Sequence, residues 1–156
     1  MSELKNRRIL FLCTGNTCRS PMAEVLATYL TRSVSGWAFE SAGLFASPGS
    51  PASTGAVQVM QEKGLDLSAH RARLMNSTLL EEADWVIPMT RGHEQLLLET
   101  YSFPPDRVRT LMSFSSSGQD DVCDPFGGTP ETYRVVRDQI ESALSDLILA
   151  VVKPSR

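Results

Sequence analysis

The sequence predicts an α/β fold, an open four-stranded parallel sheet with helices on both faces and an anion-binding loop after the first strand. Two observations carry this. Strand-like and helix-like segments alternate along the whole chain, and a parallel sheet needs a crossover helix between successive strands. The apolar run Ile9-Leu10-Phe11-Leu12 passes through a short polar loop, Cys13-Thr14-Gly15-Asn16-Thr17-Cys18-Arg19-Ser20, straight into the amphipathic segment opened by Pro21-Met22-Ala23-Glu24. The first turn of a helix leaves N–H donors unpaired at the positive end of the macrodipole, so a loop placed there can cradle a phosphate. With 156 residues and 42% hydrophobic composition, residues 1–156 are expected as one domain with an adequate core.

The elements follow in order. The first strand ends at the loop, and Met22, Val25, Leu26, Tyr29 and Leu30 recur at helical spacing from a start at Ser20 or Pro21. Trp37 to Glu40 reads as a second strand ending in Ser41-Ala42-Gly43. A Ser/Pro/Gly-rich loop over 46–53 precedes a helix over 54–63, which Gly64 stops. Ala83 to Ile87 is a third strand whose end is marked by Pro88, because proline cannot donate to a ladder. A helix is expected over 90–101, and a fourth strand over Val108–Met112. After the long loop Ser113–Gly128, the spacing of Val135, Val136, Ile140, Leu144, Leu147 and Ile148 predicts a closing helix over 130–152 with Pro130 in its first turn.

Charge and composition narrow the function. A net charge of -3 offers no general attraction to nucleic acid or anionic membrane, so no partner of either kind is expected. The basic cluster Lys5, Arg7, Arg8 reads as a solvated lead-in. The start is polar rather than a secretory signal, and no apolar run nears the roughly 18 residues of a membrane span, which points to a cytoplasmic, monomeric protein. Three cysteines, two of them in one loop, suit a reducing compartment and a reactive thiol better than a disulfide framework.

The loop lacks the G-x-x-x-x-G-K-[ST] pattern of nucleotide-binding loops. Cys13 and Arg19 bracket it instead. A thiol at the mouth of a ring of N–H donors, beside a helix N-terminus and a guanidinium, is expected as a thiolate nucleophile at neutral pH. Arg19 can grip two phosphate oxygens at once. Gly15 and Asn16 suit the left-handed backbone of a tight cradle. Ser20, at the exit, can donate to the Cys13 thiolate or to a backbone group.

Cys-x5-Arg-Ser-Pro after a first strand resembles the motif of the low-molecular-weight protein tyrosine phosphatase family. Ser41-Ala42-Gly43, His70-Arg71-Ala72-Arg73 and Asp124-Pro125 match that family's pattern in order and spacing, so the resemblance spans nearly the whole chain. It implies strand order 2-1-3-4, with Cys13 at the switch point where the order reverses. It also implies catalysis by Cys13, Arg19 and Asp124, phosphate binding by the loop residues, and support of Asn16 by Ser41 and His70. On the residues alone, Asp-Pro is usually only a turn; Asp124 is the candidate acid because a departing group needs a proton and no histidine lies near the loop in sequence. Asp120 and Asp121 read as solvated, Arg73 as structural and His93 as a spectator. The role of Cys123 is open. Cys18 has two readings, a partner for a reversible, protective disulfide with Cys13 and a small residue packed under the loop.

Two departures bear on substrate. Thr17 stands where many family members carry an aliphatic residue, and Phe126-Gly127 where many carry two tyrosines after Asp-Pro. Thr17 with Asp124-Pro125-Phe126-Gly127-Gly128 resembles the bacterial protein-arginine phosphatase branch. The expectation is a redox-sensitive hydrolase that removes phosphate from arginine in phosphorylated proteins through a phosphocysteine, using no metal or cofactor. Tyrosine phosphatase is the alternative. Arsenate reductase on the same scaffold resembles a relay using further cysteines, and none lies between Cys18 and Cys123. A phosphoprotein-binding module without turnover is the remaining class, which phosphate release from a phosphopeptide separates.

Overall fold

The computed structural model describes residues 6–153, so Lys5 of the basic lead-in and both ends of the chain lie outside it. Eight main elements follow one another: β1 (Arg7–Cys13), α1 (Arg19–Leu30), β2 (Trp37–Gly43), α2 (Thr54–Gln61), α3 (Ser77–Glu82), β3 (Trp85–Pro88), α4 (Arg91–Thr100) and α5 (Pro130–Leu147). β1 lies in the middle, parallel to both neighbours, in the order β2-β1-β3.

The alternation along β1 builds two cores from one strand. Ile9, Phe11 and Cys13 join a cluster with Met22, Ala23 and Leu26 of α1, Val59 and Met60 of α2, and Val136, Ile140 and Leu144 of α5. Leu10 and Leu12 join a second cluster with Leu80 of α3, Leu97 of α4 and Val86 of β3. Both faces of the strand are therefore buried, which is why its sequence reads as a continuous apolar run. Phe11 and Phe39 stack with ring centroids 6.2 Å apart.

Among the described residues the sheet has three strands, not the four expected. Val108 makes one parallel bridge to Val86, and Arg109 N–H reaches Val86 O at 3.2 Å, so the fourth position exists as a single rung. The run Val108–Met112 carries Val108, Leu111 and Met112, which are buried as the residues of a strand would be. Its backbone instead tightens into a 3-10 turn at Leu111–Phe114, which Ser113 reinforces by donating from its hydroxyl to Thr110 O at 2.7 Å. α3 was not expected; Asn76 starts it by accepting from Leu79 N–H at 2.9 Å, a cap followed by too short an apolar pattern to stand out.

Other boundaries agree closely. Pro88 ends β3, and Thr90 caps α4 by accepting from His93 N–H. α2 closes through a turn at Gly64, whose φ is +73°. α5 gives way at Ile148 to a π-helical turn running to Val152. Among the described residues, no helix is long and apolar enough to cross a membrane.

Candidate active site

β1 ends at Cys13 and α1 begins at Arg19, so five residues must turn the chain through a half-circle. Asn16 makes this possible. Its φ of +57° is the one positive value at a non-glycine residue among those described, and such a conformation costs about 1–3 kcal/mol unless neighbours impose it. They do so on four sides. The Asn16 Oδ1 accepts from Arg73 N–H at 2.9 Å, and its Nδ2 donates to Ser20 Oγ at 2.9 Å and Ser41 Oγ at 3.0 Å. His70 Nε2 lies 2.8 Å from Asn16 O; a carbonyl only accepts, so this nitrogen carries the proton. Ser41 and His70 both bond to Asn16. Gly15 has no positive φ; the strain falls wholly on Asn16.

Gly43, at the end of β2, is where the loop presses hardest on the sheet. A Cβ there would lie 2.6 Å from Thr14 O and 2.9 Å from Asn16 N, so only glycine lets the loop pack so close.

A directed chain of hydrogen bonds runs to the sulfur. Glu24 Oε1 accepts from the Ser41 hydroxyl at 2.6 Å, leaving Ser41 Oγ to accept from Asn16 Nδ2. Asn16 Nδ2 also donates to Ser20 Oγ, which frees the Ser20 proton for Cys13 Sγ, 2.8 Å away. Asn16 N–H adds a second donor to that sulfur at 3.3 Å. Of the two partners open to Ser20, its hydroxyl takes the thiol. Glu24 was not singled out in the sequence, although a carboxylate one turn beyond Ser20 on a helix with a buried first turn was the available signal.

Cys13, Thr14, Gly15, Thr17, Cys18, Arg19, Asp124 and Phe126 line one pocket of about 230 Å³. No side chain caps α1 at Cys18, so the N–H groups of Arg19 and Ser20 in its first turn are left without a capping side chain. Arg19 is 6% exposed; one nitrogen donates to Val122 O at 3.1 Å, and the other lies 3.7 Å from Asp124 Oδ2. Asp124 Oδ1 accepts from Phe126 N–H at 3.1 Å, an Asx turn that aims the carboxyl inward and leaves Phe126 exposed on the rim. Arg73 is structural, with its guanidinium on Ser41 O at 3.2 Å.

The Cys18 sulfur lies 3.2 Å from Ser53 Oγ and 3.5 Å from Tyr133 OH, so the thiol is packed under the loop against α2's cap and α5. Burial and that thiol push the Tyr133 pKa up. All three cysteines are free, and Cys123 is exposed beside Asp124. No sequence pattern links Tyr133 to residue 18.

His93 is not the spectator expected from its polar helix. It is buried, and its Nε2 lies 2.8 Å from Thr14 Oγ1. Burial, aided by the Arg19 charge and opposed by Asp121 and Asp124, lowers its pKa from 6.5 to about 4. The folded state therefore binds fewer protons than the unfolded chain between these values. Stability present above pH 6.5 is lost as the pH falls through about 4. His93→Gln should flatten that decline in denaturant midpoints measured across the window; an unchanged slope would mean that other groups govern it.

The comparisons fit this geometry. The family profile described as low molecular weight phosphotyrosine protein phosphatase matches residues 8–156. A protein-arginine-phosphatase of Geobacillus stearothermophilus is 42% identical over 140 residues, covering 90% of this chain and 93% of its own. The crystal structure of a low molecular weight protein tyrosine phosphatase from T. tengcongensis superposes with a TM-score of 0.88 at 36% identity, covering 94% of this chain and all of that one. A cysteine-to-serine mutant of the YwlE arginine phosphatase, with its active-site serine phosphorylated, gives 0.88 at 38% identity, covering 96% of this chain and 98% of that one.

Proposed function

Because the chain belongs to the low molecular weight phosphotyrosine protein phosphatase family, we propose that, as one domain over residues 1–156, it hydrolyses phosphoarginine in proteins. The observation that carries the reading is the convergence of Cys13, Arg19 and Asp124 on one pocket at the start of α1. The protein is a cysteine-dependent phosphatase. Cys13 Sγ attacks phosphorus; the S–P bond forms as the P–N bond breaks, and Asp124 gives its proton to the departing guanidine nitrogen. A water then attacks the phosphocysteine and passes a proton to Asp124, which releases thiolate and phosphate. Arg19 and the loop amides balance the charge on the phosphoryl oxygens, a task that otherwise falls to a metal ion. On this reading the enzyme is a cytoplasmic monomer acting on phosphorylated proteins.

Thr17 lines the pocket, and its hydroxyl lies 3.8 Å from Cys18 Sγ, too long for a strong bond and so available to a guanidinium. Phe126, 73% exposed on the rim, offers a ring face to that cation. The same ring can wall a phenyl group, which favours tyrosine phosphatase as the second reading. Parallel turnover of phosphoarginine and phosphotyrosine peptides tests the choice. Thr17→Ile should lose activity on phosphoarginine while keeping or gaining it on phosphotyrosine. The ratio of specificity constants should move by about one to two orders of magnitude, because an unpaired buried polar group costs about 1–3 kcal/mol. A wild type that prefers phosphotyrosine, or a ratio unmoved in the variant, would give the second reading precedence.

A further inference from the structure

His93 is a buried titratable group with no part in the mechanism above, and its contact with the loop has a direction. Its Nδ1 is buried without a hydrogen-bond partner, whereas its Nε2 faces Thr14 Oγ1 at 2.8 Å. A neutral imidazole carries one proton. Placed on Nδ1, it would be a buried donor with no acceptor, which is rarer and costlier than a bare lone pair. The proton therefore lies on Nε2, and His93 donates to Thr14. Thr14 Oγ1 accepts that bond, so its own proton is left to point elsewhere, and Thr14 is exposed and lines the pocket.

The backbone that carries the ring is also held in place. Thr90 Oγ1 accepts His93 N–H at 3.0 Å, and Asp121 Oδ1 accepts Arg91 N–H at 2.8 Å, which ties the start of α4 to the segment carrying Asp124. Val122 N–H reaches Met89 O at 2.9 Å, and Val122 O takes the Arg19 guanidinium. On the other side, Thr14 O accepts Phe45 N–H at 2.9 Å, fixing the backbone from which the hydroxyl projects.

We propose that the Thr14 side chain donates a hydrogen bond to a phosphoryl oxygen, alongside the loop amides, and that His93 is the positioning residue that turns the hydroxyl toward the pocket. The inference rests on the phosphatase reading for its use in turnover, but its first consequence is anion binding, which needs no turnover. A charge-assisted bond of this kind is about twice as strong as a neutral one.

Calorimetric titration with inorganic phosphate is the test. Thr14→Val, which keeps the shape and removes the donor, should weaken phosphate binding about 10- to 100-fold, and Thr14→Ser should recover most of it. His93→Leu should weaken it by a similar factor, and the double variant Thr14→Val/His93→Leu no further than either alone, since both changes remove one donor. Nitrogen-15 correlation spectra of the wild type should place the imidazole proton on Nε2. Phosphate affinity of Thr14→Val within twofold of wild type, fully multiplicative losses in the double variant, or a proton on Nδ1 would overturn the proposal. Failure of the wild type to release phosphate from any phosphopeptide would overturn the phosphatase reading alone, leaving the titration to decide this one.

Discussion

Replacing Cys13 with serine should abolish turnover of every phosphorylated substrate while leaving inorganic phosphate binding within a few-fold of wild type. On the proposed mechanism the nucleophile is the sulfur at the end of β1, where Ser20 and Asn16 N–H donate to it; a serine hydroxyl there is a far weaker nucleophile and a poorer leaving group in the second step. The cradle uses other groups, the Arg19 guanidinium and the amides at the start of α1. Phosphate release and calorimetry on the same preparation separate the two effects. Retained turnover would rule out a covalent route through Cys13. Loss of both activity and anion binding would mean that the substitution had collapsed the loop.

The second large effect is expected at Asp124. Asp124→Asn should lower turnover by about 10²- to 10⁴-fold on phosphoarginine, whose guanidine must leave protonated, and much less on activated aryl phosphates. The carboxyl lies 3.7 Å from Arg19, on the same pocket that takes the dianion. Removing its charge frees the guanidinium, so phosphate affinity should hold or rise as turnover falls. Equal losses on both substrate types would count against Asp124 as the proton donor, and weaker phosphate binding would count against its placement beside Arg19.

The loop was legible in the sequence because it is contiguous. Eight successive residues carry the proposed nucleophile, the guanidinium and the strained Asn16, and the strand and helix on either side announce themselves by their periods. Partners brought from far along the chain were readable only through resemblance, as for Ser41 and His70, or not at all; Asp124 was legible only as a candidate until the resemblance supported it. Glu24 passed as one more helix residue, and its role depends on Ser41 arriving from β2. His93 read as a spectator because its helix face is polar, yet the first turn of that helix packs against the phosphate loop. The missing fourth strand is a different failure. Val108, Leu111 and Met112 are buried as a strand's residues would be, but apolar burial does not specify backbone pairing. There, a 3-10 turn satisfies the backbone locally.

The position of β1 has a consequence for how the site opens. Its residues from Ile9 to Leu12 are at most 1% exposed and paired on both sides, so their amide protons should exchange with solvent only when the whole molecule unfolds. The segment carrying Asp124 is mostly exposed and held by few main-chain bonds, which places it among the parts that open locally and far more often. The proposed nucleophile and proton donor thus belong to different cooperative units. Mild denaturant should cost the protein its acid step well before it costs the anion cradle, leaving a population that still binds phosphate but cleaves phosphoarginine slowly.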